Sequence, residues 1–259
     1  FSSCQKEKLN TVADKPSTSA KQASSIEQLL KRTTVILSVL NNGSVSYKNG
    51  GFIDYSPCAS VNIDSTSMPR VTVINYGESG CVGLDGVTRM GKVVITSDGD
   101  SRDAGTYIVT TYSHYFEDGD EITGSDTMHN DGKNINGNIS YSMSQNTFSK
   151  LANGSGNEKE AFAGTCEWLT GEATETTDDD QYGYTFVGNI TSPDGSVETL
   201  TSQTQLVKNL APNCSAHFVQ GKVLSHHTTL DVFVDFGDGT CDNLVSVTEN
   251  GTTTTYDLN

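Results

Sequence analysis

The sequence predicts an all-β protein, an antiparallel sandwich or extended meander with an N-terminal tether and one helix. Three observations lead there. From about residue 59 onward, apolar and β-branched runs follow one another at intervals too short for intervening helices. The runs are separated by Asp131-Gly132, Asn136-Gly137, Asp194-Gly195 and Asn250-Gly251, dipeptides that favour tight hairpins. One stretch also occurs twice, as VTVINYGESGCVGLDGVTRMG at 71–91 and DVFVDFGDGTCDNLVSVTENG at 231–251. Aligned without a gap, the copies share Gly77/Gly237, Cys81/Cys241, Leu84/Leu244, Val87/Val247, Thr88/Thr248 and Gly91/Gly251. Each reads as a β run, an aromatic-Gly-acid turn, a cysteine and a second β run, which is a duplicated hairpin unit.

The chain divides into three parts. Residues 1–24 begin Phe-Ser-Ser-Cys, like the end of a bacterial lipobox, and continue as a polar stretch without further aromatics that reads as a flexible tether. Cys4 is therefore the expected site of acylation. Residues 25–57 hold a helix and a connection. Ser24-Ser25-Ile26-Glu27 supplies an N-cap and a first-turn acid, and Ile26, Leu29, Leu30, Thr33, Ile36, Leu37 and Leu40 recur at helical spacing. Val35-Ile36 leaves a strand as the alternative. Residues 58–259 form the β body, as one domain or two.

Charge narrows the partners. The 259 residues carry a net charge of −16. Residues 1–50 hold seven basic and three acidic side chains, so the body is more acidic than the whole. Such a surface repels phosphate backbones, and nucleic acid is not an expected partner. The six cysteines show neither CxxC nor Cys/His spacing, which points to an oxidising compartment rather than to zinc. Cys58 precedes the first repeat and Cys214 the second, so Cys58–Cys81 and Cys214–Cys241 are the expected bridges. Cys166 is left as a buried thiol.

No residue pattern announces catalysis. GxSxG, HExxH and Cys/His motifs are missing, and no histidine lies at a spacing that pairs it with a known catalytic partner. No cofactor, metal or catalytic residue is expected. The acid groups Asp98/Asp100/Asp103, Glu117/Asp118/Asp120/Glu121 and Asp178/Asp179/Asp180 read as solvated turns, with calcium binding as the alternative. Trp168 with Tyr182 and Tyr184 is a candidate platform for stacking a sugar ring, although packing explains a lone tryptophan equally well. Asp64-Ser65-Thr66 and Asp126-Thr127-Met128 match short acid-hydroxyl-apolar sites of O-glycosylation, with Ser65 and Thr127 as acceptors.

Four motifs carry a resemblance: Arg89-Met90-Gly91-Lys92-Val93-Val94-Ile95-Thr96, Asp103-Ala104-Gly105-Thr106, Glu167-Trp168-Leu169-Thr170-Gly171 and Asp235-Phe236-Gly237-Asp238-Gly239-Thr240-Cys241-Asp242-Asn243. In that order, over roughly residues 58–259, they resemble a family of Bacteroidota cell-envelope lipoproteins to which no activity is attached. Gln5-Lys6-Glu7 is similar to the short signal that follows the acylated cysteine of surface-exposed members. The resemblance implies a β fold, an outer-membrane address with cell-surface exposure, and anchorage through Cys4. The expected function is a non-catalytic binding or structural subunit with an envelope protein partner, in barrel assembly or TonB-dependent uptake. A carbohydrate-binding accessory protein is the alternative, and a glycan-acting hydrolase a weaker one.

Overall fold

The structure is a computed structural model that describes residues 23, 26, 27, 30, 32–37, 40, 58–64, 66–83, 86–174, 176–212, 214 and 217–258. Cys4, Ser65 and the tether lie outside the described residues. The body is all-β. Its strands are β1 (Ser60–Asp64), β2 (Arg70–Val82), β3 (Thr88–Ser97), β4 (Tyr107–Glu117), β5 (Asp120–Lys133), β6 (Ile139–Lys150) and β7 (Asn157–Thr170). They continue as β8 (Gln181–Thr191), β9 (Val197–Ser202), β10 (Leu206–Asn209), β11 (Phe218–His227), β12 (Leu230–Asp238), β13 (Leu244–Glu249) and β14 (Thr252–Asp257). All pair antiparallel in one 14-stranded sheet that runs in chain order from β1 at one edge to β14 at the other, with β9 bridging β8 and β11. The meander is therefore the correct form, and there is no second sheet facing the first among the described residues.

The sheet stays single because it has something other than a second sheet to bury its inner face against. A helix, α1, is described at residues 23, 26, 27, 30, 32–37 and 40. Residues 32–37 are six in a row, from Arg32 at 8% exposed to Leu37 at 0%. Six consecutive residues cover more than one full turn of about 3.6, so every side of the helix is covered. Its contacts come from strands far apart in the sheet: Arg32 reaches β4, β6 and β7, Thr34 reaches β8, and Glu27 reaches the start of β11. The sheet curls around α1. Residues 25–57 are thus not an appendage to the body; their helix is its core.

Local irregularities supply the curl. Register shifts interrupt β2·β3, β3·β4, β4·β5, β5·β6, β7·β8 and β11·β12. An extra residue on one strand raises the twist and bends the sheet, which a long flat meander needs in order to close over a core. Among the described residues no helix is long and apolar enough to cross a membrane.

The repeat is only partly structural. Tyr76 and Phe236 both point inward, and the Gly77 and Gly237 N–H groups donate to Asn75 Oδ1 at 3.0 Å and Asp235 Oδ1 at 3.1 Å. Beyond the cysteine the copies part. Thr72 pairs with Ile95, whereas the aligned Val232 pairs with Glu249, the counterpart of Arg89. Gly91 lies inside β3, while Gly251 lies in the turn between β13 and β14. The expected duplicated hairpin is a duplicated first strand with two different returns, because turn length sets register independently of composition.

A candidate binding groove and the core behind it

The core between α1 and β4–β7 holds charge, and among the described residues Arg89 is the one charged side chain that the first copy buries beside it. Arg32 Nε and Nη2 donate to Glu117 Oε2 at 3.2 and 3.1 Å, and Nη1 donates to Glu160 Oε2 at 3.1 Å. Tyr115 O–H donates to Glu117 Oε1 at 2.7 Å, with Arg89 Nε 3.9 Å from the same oxygen. Thr147 O–H donates to Glu160 Oε2 at 2.7 Å. Burial raises the Glu117 carboxyl, but Arg32 and Arg89 outweigh it and hold the group below its usual value of 4.5. Asp126 is different. Burial pushes it up to about 6 although the Tyr112 hydroxyl donates to its Oδ2, and its Oδ1 has no hydrogen-bond partner. Buried pairs of this kind add little net stability but penalise every arrangement that breaks them. Here they fix the rotation and height of α1 inside the sheet. Two voids of about 20 and 10 Å³ remain beside Ile36, each with room for about one water.

A groove opens on the outer face over β2, β3 and β4. Register shifts meet there, after Asn75 and after Gly77 in β2·β3, after Met90 in β3·β4 and after Thr111 in β4·β5. Gly77 pairs with Gly91, so two neighbouring positions carry no side chain and form a floor of bare backbone. Gly91 has φ 81°, and a Cβ there would overlap the carbonyl oxygen of His114. His114 itself holds φ 46°, a conformation that costs a residue with a Cβ about 1–2 kcal/mol. One wall is the cross-strand row Asn75–Lys92–Ser113, and the other is the pair Met90–Phe116. With Glu78 and His114 the groove encloses about 560 Å³, within the range of roughly 300–1,000 Å³ typical of small-molecule sites. Strained backbone of this kind persists where surrounding structure over-determines it, and it clusters at binding sites. The sequence marks Gly77 and Gly91 as repeat positions and Met90, Gly91 and Lys92 as part of a motif, but it does not bring them together as a site, because the groove arises from register.

The other expected positions fall as follows. The bridges join Cys58 to Cys81 and Cys214 to Cys241, closing 23 and 27 residues. Cys166 is a buried free thiol whose pKa burial raises well above 9.0. Trp168, Tyr182 and Tyr184 are 2%, 0% and 0% exposed, which corrects the sugar platform expected of them. They face inward: Trp168 N–H donates to Asp180 Oδ1 at 3.0 Å, and Tyr184 shares a 2.7 Å hydrogen bond with Thr34 of α1. Thr127 sits mid-strand on β5 between Asp126 and Met128, both buried, so its motif is not presented as a unit.

Two acid groups are also corrected. Glu117 belongs to the core, and Asp180 is buried with its pKa pushed up to about 7 by that burial. Three histidines do have acid partners: His129 with Asp131 at 2.6 Å, His226 with Asp231 at 2.6 Å, and buried His217 with Glu27 at 2.7 Å. Ser142 O–H donates to Asp131 Oδ2 at 2.6 Å, beside the His129 contact to Oδ1 of the same carboxylate. Among the described residues no group of three or more His, Cys, Asp or Glu is placed to hold a metal ion. No protein-family model, curated protein or solved structure matches the chain.

Proposed function

We propose that this protein is a cell-surface lipoprotein of the outer membrane, anchored by acyl chains on Cys4, that acts by binding and not by catalysis. It serves as a binding or structural subunit alongside an envelope protein, in barrel assembly or TonB-dependent uptake. The observation that carries the binding part is the groove over Gly77 and Gly91, where register shifts in three ladders and three left-handed residues shape an open site on the outer face. The charged side chains of Arg32, Glu117 and Glu160 are, by contrast, engaged with one another around α1 and face no solvent. The address rests on the lipobox-like start, the polar tether and the resemblance of the four motifs to envelope lipoproteins. One acyl chain holds a protein to a membrane only marginally, so the anchor carries two or more.

Membrane fractionation and affinity isolation from native membranes test this reading. Cys4→Ala moves the protein to the soluble fraction, and the native form co-isolates with another envelope component. Turnover of a glycan or peptide that vanishes on one Asp, Glu or His substitution, with folding intact, makes the protein an enzyme and overturns the reading.

A further inference from the structure

Resting on the reading that the groove binds, we infer that its ligand is a neutral saccharide. The two walls set the requirement. Met90 and Phe116 form a small apolar wall, paired across β3 and β4. Opposite, Asn75, Lys92 and Ser113 form a polar row across β2, β3 and β4. A ligand that fills this space has one apolar face and a dense set of hydroxyls on the other, which is the chemistry of a pyranose ring. The aromatic wall packs against its C–H face, and the amide, ammonium and hydroxyl groups bond its oxygens.

Other ligand classes fit less well. An extended peptide binds a sheet by adding to an open edge, but β3 and β4, which supply Met90, Lys92, Ser113 and Phe116, each have a strand on both sides, and β1 covers β2 as far as Asn75. An acyl chain needs a longer apolar surface than two side chains give. A phosphate or polyanion meets a body of strongly negative charge, with Glu78 on the groove and Lys92 as its one ammonium group. The bare Gly77–Gly91 floor suits a flat ring as well, since nothing projects from it for the length of one residue pair.

Calorimetric titration of the full chain with maltotriose, cellotriose, mannotriose, triacetylchitotriose and oligogalacturonate tests the assignment. The expected result is saturable binding of at least one neutral trisaccharide, with oligogalacturonate weaker. Phe116→Ala and Ser113→Trp, the second filling the groove from an exposed position, each weaken that binding about tenfold or more. Circular dichroism confirms that both variants fold, and Ser113→Trp decides alone if Phe116→Ala does not. Absence of binding by every neutral probe, a preference for oligogalacturonate, or binding that Ser113→Trp leaves intact overturns the saccharide assignment. If Ser113→Trp nevertheless abolishes co-isolation of an envelope component, the groove remains a binding site for a different ligand. If it changes neither, the binding reading of the groove fails as well.

Discussion

The two copies of the repeated stretch begin alike and end as different structures. In each, an aromatic residue turns inward, the next glycine takes a left-handed conformation, and its N–H caps the side chain two residues before. In the first copy the return strand β3 continues past this turn, pairing Gly77 with Gly91 and bringing His114 of β4 against them. In the second, β13 stops pairing at Asp235↔Ser246, and Gly239 N–H bonds Val219 of the preceding strand at 2.8 Å. The position of Asn75 on the groove wall is taken by Asp235, held 3.0 Å from Lys222. A shared local motif therefore yields an open groove in one place and an ion-paired surface in the other. What differs is the register of the return strand and the strand beyond it.

That contrast can be broken from inside. Arg32→Ala leaves Glu160 buried without its cation and Glu117 with Arg89 alone, 3.9 Å away, at a cost of about 3–5 kcal/mol, measured by urea unfolding. Because Glu117 lies at the end of β4, hydrogen exchange should rise first in β2–β4 and last in β12–β14. Uniform loss of protection would mean that α1 supports both copies equally.

The aligned glycines give a smaller and more local comparison. Gly91→Ala adds overlap with the His114 carbonyl to a left-handed backbone, and should cost roughly 2–4 kcal/mol. Gly251→Ala has the same backbone demand at φ 75° but nothing within 4 Å, and should cost about 1–2 kcal/mol. Equal costs would remove the close approach from the account of the groove.

The smallest effect is in pH. Asp126 lies on β5, accepting from the Tyr112 hydroxyl of β4, with a folded pKa of about 6 against an ordinary 3.8. The folded state binds the extra proton between those values, so the group's contribution falls as pH rises from about 3.8 to 6 and is flat above. Asp126→Asn should therefore be more favourable at pH 8 than at pH 4, by about 1–3 kcal/mol. Glu117 works in the opposite sense, since its lowered pKa supplies stability that is lost as pH falls below 4.5. A pH-independent difference between wild type and Asp126→Asn would place no titrating acid there.

How much of this was legible depends on whether a feature is local. Strand periodicity, the turns at Asn136-Gly137, Asp194-Gly195 and Asn250-Gly251 and the cysteine spacing are local. They anticipated antiparallel strands, with the meander as one of two forms, and both bridges. Asp131-Gly132, expected as a turn, lies inside β5 at a register shift instead. Sidedness is not local. Glu117 stands beside Asp118 and Asp120 in the chain, yet it ends an inward-facing row while Asp118 stays exposed in the turn and Asp120 opens β5 half-buried. Asp180 differs from Asp178 and Asp179 in the same way. Trp168 and Tyr182 were equally suited to either face until the curl of the sheet chose the inner one. The legible hint of the core was Arg32, a cation among residues at helical apolar spacing. The groove left no such hint, since Gly91 and its counterpart Gly251 both read as ordinary turn glycines.

The central claim is that the first copy is a ligand site and the second is not, and backbone amide NMR tests it within one molecule. Titration with the same neutral trisaccharides should shift the Gly77, Gly91 and His114 amides while Gly237 and Gly251 stay in place. Shifts confined to the second copy, of equal size at both copies, or absent at Gly77 and Gly91 would contradict it.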